Sequence, residues 1–172
     1  MICSCRLRLP SRPVFTALLV GAAVAVLSCT PFTLAEATRE YAVIASPGVP
    51  DRDLTLTEVR RLFQFNQRYW SGTLRVNVLI LEDDLRDDSF LLRKIYNRDE
   101  ASLRRYILGR LYQGDIDRAP KVVATSEKLL QFVASGQGVV AILPASEVGD
   151  AKVQVLAIDG LRPGEPDYIL RD

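Results

Sequence analysis

The sequence contains no histidine and only three cysteines, and this shortage excludes several kinds of chemistry. The cysteines are Cys3, Cys5 and Cys29, so all of them lie within the first 29 of 172 residues. The rest of the chain therefore has no disulfide, no thiolate nucleophile, no Ser–His triad and no ordinary zinc site. Paired carboxylates remain, but no nucleophile, histidine base or cofactor motif accompanies them. We expect no enzyme activity and no cofactor.

The first 37 residues have the three parts of a secretory signal peptide. Arg6, Arg8 and Arg12 supply a positive start, and Val14–Leu27 is an apolar run too short to span a bilayer comfortably. Small residues follow and end in Ala35–Ala37, an Ala-x-Ala cleavage pattern. We therefore expect export to the periplasm, with cleavage after the last residue of that pattern.

Two alternatives to cleavage there remain open. The apolar run can stay attached as an N-terminal anchor. The string Val26–Cys29 partly resembles a lipobox, which would attach a lipid to Cys29, but Leu27 is an unusual residue just before its end. In either case residues 38–172 follow as a single domain, since about 135 residues bury one real core.

The charge of this domain is balanced. Without the three leader arginines and Glu36, the 22 basic and 21 acidic residues of the chain become 19 and 20. No basic stripe suggests a nucleic-acid partner.

Short apolar segments alternate with helical patterns along residues 38–172. A capping box at Thr55 and Glu58 begins the first helix, and Thr125 or Ser126 begins the last. The predicted strands are Tyr41–Ala45, Leu74–Leu81, Lys121–Ala124, Gly138–Leu143 and Val153–Ile158. Strands that alternate with helices imply βαβ units, so we predict an α/β fold with a mostly parallel sheet flanked by helices.

Four motifs occur in the order known from one family of binding proteins. They are Leu54–Thr73, with the pattern L-T-x-x-E-V-R-x-L-F followed by W-x-G-T, then Leu111–Gly114, Gly138–Pro144 and Ile158–Tyr168. Together they resemble the phosphate-type substrate-binding proteins of ABC transporters and their short single-domain relatives. The resemblance implies a periplasmic-binding-protein-like (type II) domain that binds a small, phosphate-like anion and contacts an ABC permease or a membrane sensor protein.

The sequence departs from that family where the anion would bind. The first-lobe glycine-serine-threonine loop has no counterpart before Tyr41. The second anion loop, typically Ser-Gly-Thr with an arginine, is replaced by the acidic string Glu82–Ser89. A literal Ser-Gly-Thr occurs at Ser71–Thr73, where we interpret it as turn chemistry.

In open α/β sheets, ligands bind beyond the carboxyl ends of the strands. That rule selects the candidate ligand-binding residues Ser46, Arg86, Ser89, Thr125 and Ser126. Hydroxyls and free N–H groups at helix starts favour anions, although the same residues serve equally as helix caps. A second reading of the acidic loop is a Ca²⁺ site formed by Asp83, Asp84, Asp87 and Asp88, but its spacing does not match an EF-hand, and we predict no metal.

Two functions follow from these observations. One is capture of a small oxyanion for ABC transport by an exported, non-catalytic domain. The other is a ligand-free periplasmic interaction or sensory module that has lost the anion site.

Overall fold

The computed structural model describes residues 38–50 and 53–172. The predicted signal peptide and the Cys29 alternative lie outside the described residues. Within the part that is described, no helix has the length and apolar character needed to cross a membrane. The strands are β1 (Tyr41–Ala45), β2 (Tyr69–Ser71), β3 (Leu74–Arg75), β4 (Asn77–Leu81), β5 (Lys121–Val123), β6 (Val139–Pro144) and β7 (Gln154–Val155). The helices are α1 (Leu56–Phe63), α2 (Glu100–Tyr112) and α3 (Ser126–Ser135), with a π-helical segment at Leu91–Tyr96 and 3-10 turns at Glu82–Leu85 and Ala145–Glu147.

Five strands form one mixed sheet in the order β5-β4-β6-β1-β7. β4 pairs in parallel with β5 and β6, whereas β1 pairs antiparallel with β6 and β7. Within this sheet four strands therefore run in one direction, and β1 runs in the other. The predicted α/β class is confirmed, and the sheet is mixed, with two parallel and two antiparallel pairings. The grouping of Ser46 with the other candidates assumed that β1 runs parallel to them, and this assumption is wrong. A strand buried on both faces has the same residue pattern in either direction.

β6 is the centre of the sheet and all six of its residues are buried. Val140 and Ile142 belong to the apolar cluster on one face, while Ala141 and Leu143 belong to the cluster on the other. This confirms the prediction that the unbroken apolar run is a strand covered on both sides.

Helix α1 begins as its sequence predicts. The Thr55 hydroxyl accepts a hydrogen bond from the Glu58 N–H at 3.2 Å, and the Glu58 carboxylate accepts one from the Thr55 N–H at 2.8 Å. Val59, Leu62 and Phe63 are fully buried behind this cap. The capping box thus directs the apolar face of α1 into the core.

The middle of the chain differs more from the sequence prediction. The apolar residues that follow Asp88 and Ser89 predict a helix, and the structure has the π-helical segment there, which ends at Asn97 in a left-handed conformation (φ 51°). Helix α2 then starts at the Asp99 cap and continues past Gly109 to Tyr112. The predicted strand Leu74–Leu81 is divided, because its first two residues form a separate hairpin with β2.

The amino end of the sheet depends on one glycine. Gly138 has φ of 65°, and a Cβ atom at this position would overlap the Arg75 carbonyl oxygen. Its own carbonyl accepts a hydrogen bond from the buried Trp70 indole at 2.9 Å. A residue with a side chain would push β6 away from the segment that leads into β4.

Candidate functional site

Three parallel strands end along one edge of the sheet, which is where the sequence predicts a ligand. β4 leads into the 3-10 turn Glu82–Leu85, β5 leads to the Thr125 cap of α3, and β6 leads into the 3-10 turn Ala145–Glu147. We call these three segments the carboxyl edge.

The two hydroxyls at the start of α3 already have partners. Thr125 Oγ1 accepts a hydrogen bond from the Lys128 N–H at 3.4 Å, so this side chain caps the helix. The Ser126 hydroxyl donates to the Glu147 carboxylate. This bond joins the segment after β5 to the segment after β6, and it directs a negative charge to the start of α3.

Asp84 is the unusual residue of this edge. It is only 8% exposed, and its Oδ2 atom has no hydrogen-bond partner among the described residues. Burial, followed by repulsion from Asp83 and Glu147, raises its pKa to about 7. A carboxyl group in this state is partly protonated at neutral pH, and it accepts a second negative charge nearby only at a high cost.

Arg86 and Ser89 make local contacts. The Arg86 guanidinium lies 3.0 Å from Asp83, and both side chains are largely exposed to solvent. The Ser89 hydroxyl donates to the Asp84 carbonyl oxygen at 2.5 Å and accepts from the Leu92 N–H at 3.3 Å. Arg86 therefore forms a surface ion pair, and Ser89 caps the start of the π-helical segment.

Ser46 does not join the other candidates. Its backbone N–H donates to the Val139 carbonyl at 2.9 Å, and its hydroxyl accepts from the Val139 N–H at 3.1 Å. Val139 begins β6, so Ser46 lies at the opposite, amino edge of that strand. The expected grouping of all five residues is therefore corrected: β1 runs antiparallel, and its carboxyl end lies away from the carboxyl ends of its neighbours.

Acidic groups dominate the carboxyl edge. Glu147 and Asp83 are both close enough to Asp84 for their negative charges to raise its pKa. Within residues 38–50 and 53–172, no group of three or more His, Cys, Asp or Glu side chains has an arrangement that could hold a metal ion. The four aspartates of the loop therefore do not meet as calcium ligands there.

Sequence reasoning missed Glu147 altogether. The residue directly follows Pro144–Ser146, a segment that the carboxyl-end rule does select, but nothing in the local pattern distinguishes Glu147 itself from a solvated turn residue. Its proximity to Asp84 depends on the order of β4 and β6 in the sheet, and no local motif encodes that order.

Comparison with known proteins identifies the fold. No protein-family model matches the sequence. No curated protein matches it either. The chain is similar to the crystal structure of PstS from Borrelia burgdorferi, with 10% identity, a TM-score of 0.54, and coverage of 73% of this chain and 49% of that chain. It is also similar to an ABC-type phosphate transport receptor from Vibrio cholerae, with 14% identity, a TM-score of 0.50, and coverage of 73% and 48%.

These matches confirm the resemblance predicted from the four motifs at the level of the fold, which is that of periplasmic binding proteins. The chain spans about half the length of each of these two structures.

Proposed function

We propose that this chain is an exported, non-catalytic module with a periplasmic-binding-protein fold, and that its carboxyl edge does not capture a free oxyanion. The carboxylates of Asp83, Asp84 and Glu147 at that edge support this reading, because burial and the charges of Asp83 and Glu147 raise the pKa of Asp84. The module acts through contact with a membrane protein, either a sensor or an ABC permease.

Charge repulsion is the physical reason. Like charges about 4 Å apart repel by about 4 kcal/mol at an effective dielectric constant of 20. The start of α3 would attract an anion, but the Ser126 hydroxyl donates to Glu147, whose charge already occupies that region. Arg86 is exposed and pairs with Asp83, so it offers little compensation.

The second candidate is oxyanion capture for ABC transport. It is favoured by the fold shared with a protein described as a phosphate transport receptor. In that case Arg86, Ser89, Thr125 and Ser126 would have to exchange their present partners for the anion.

Calorimetric titration of the exported protein with inorganic phosphate at pH 7.5 distinguishes the proposed module from a protein that captures an oxyanion. We expect no binding up to millimolar concentration. Micromolar binding that is lost in Arg86→Ala and in Ser126→Ala would overturn the proposal and establish capture.

A double variant tests the stated cause. Asp84→Asn combined with Glu147→Gln removes both charges and keeps the side-chain shapes. We expect it to bring phosphate binding into the measurable range, because relief of even about 1.4 kcal/mol of repulsion tightens binding about tenfold. Asp87→Asn, an exposed acid of the same loop, is the matched control and should change nothing.

A further inference from the structure

A cavity of about 510 Å³ opens at the amino edge of the sheet, away from the acidic carboxyl edge. It lies where the chain enters β4 and β5 and where α3 ends before β6. Its volume falls within the range of small-molecule sites, about 300 to 1,000 Å³.

Several apolar side chains are among the residues that line this cavity. Phe65 and Val76 are partly buried and pack against the main core. Phe132, on α3, is 41% exposed although it is a large apolar residue. An apolar ligand body that covered Phe132 would remove this surface from water.

The charged rim of the cavity is positive overall. Two of its arginines are paired with carboxylates: Arg68 lies 4.0 Å from Asp115, and Arg75 pairs with Asp117. Two further cations of the rim have no carboxylate partner in the part of the chain that the structure describes.

Those two cations are Arg118 and Lys121. In residues 38–50 and 53–172 no carboxylate pairs with either of them. The Lys121 ammonium lies 3.3 Å from the centre of the Phe132 ring. The ammonium thus lies over one face of this partly exposed ring. A positive group in contact with apolar surface suits a ligand with one negative charge on a compact apolar body.

We propose that this cavity binds a small amphipathic monocarboxylate, whose carboxylate pairs with Arg118 and Lys121 and whose apolar body covers Phe132. A more highly charged and fully polar anion such as phosphate would leave the apolar lining exposed to water. The site is distinct from the carboxyl edge, and it goes beyond the function proposed above.

Benzoate and 3-phenylpropionate are suitable probes, with benzamide and 3-phenylpropanamide as uncharged analogues of the same shape. Calorimetric titration of the exported protein should give a dissociation constant for the acids that is at least about tenfold lower than for the amides, because a charge-assisted hydrogen bond is lost with each amide. Inorganic phosphate should not compete with them.

Two variants locate the binding. Lys121→Gln and Arg118→Gln should each weaken binding of the acids by about tenfold while leaving the weak binding of the amides unchanged. Both positions are exposed, so the variants should melt like the wild type. Arg104→Gln, an exposed arginine of α2, is the matched control and should bind like the wild type.

Three results would overturn the proposal. The first is no measurable heat of binding with either acid at concentrations up to about 10 mM. That concentration corresponds to the weakest dissociation constant expected for ligands of this size. The second is equal affinity for acids and amides. The third is binding of extended peptides along the sheet-edge strand β5 with no binding of the acids, which would identify a peptide site instead.

Discussion

At the scale of single residues, Asp84 makes the stability of the protein depend on pH. Its pKa of about 7 in the folded state lies above its usual value of 3.8 in an unfolded chain. The folded state therefore binds the proton more tightly, so the free energy of unfolding falls as pH rises from about 4 to about 7. At about 1.4 kcal/mol per pKa unit, the full loss amounts to as much as about 4 kcal/mol.

Asp84→Asn removes this dependence. We expect the variant to be more stable than the wild type at pH 8, and we expect the difference to shrink towards pH 5, where the wild-type carboxyl is protonated. Urea unfolding at each pH, monitored by the fluorescence of the buried Trp70, measures this difference in the free energy of unfolding. Asp87→Asn is the control, and an equal gain in both variants at every pH would contradict the assignment.

Residue-scale inference from sequence succeeded where neighbours along the chain determine the contact. The Thr55–Glu58 cap was predictable because both partners lie within one helical turn. The burial of Asp84 was not, since the loop that contains it reads as uniformly acidic and solvated. What distinguishes Asp84 from its neighbours is the packing of the folded chain around it.

At the scale of elements, β6 organises both cores, so a charge at its centre should prevent folding. Val140→Asp would bury an unpaired carboxylate, because both faces of the sheet are covered at β6. The cost, several kcal/mol, is comparable with the whole stability of a domain, about 5 to 15 kcal/mol. We expect no cooperative thermal transition.

A matched substitution on β5 tests whether the effect is specific to β6. Val122 is 46% exposed, so Val122→Asp should melt within a few degrees of the wild type. Wild-type-like melting of Val140→Asp, followed by circular dichroism, would contradict the central position of β6.

Element identity was more predictable than element direction. The apolar run of β6 could be read from the sequence because burial on both faces removes every polar residue. The direction of β1 was not predictable, because YAVIA has no feature that distinguishes a parallel neighbour from an antiparallel one. That error moved Ser46 to the wrong edge of the sheet.

At the scale of the whole molecule, the leader-like first 37 residues predict export. Intact mass of the protein from a cell-envelope fraction should correspond to a chain that begins close to Thr38. A mass that retains the first 37 residues would contradict cleavage, and a lipid mass at Cys29 would assign the protein to a membrane surface.

The antiparallel position of β1 also has a consequence for the order in which the chain can fold. Among the described strands β1 pairs with β6 and β7, from Tyr41 opposite Pro144 to Ala45 opposite Gln154, so these partners follow it by about a hundred residues of chain. During synthesis the first strand must wait, unpaired, until nearly the last strand has emerged. A chain whose sheet forms this late stays unfolded for longer, and an unfolded polypeptide is the form that can pass through a narrow channel.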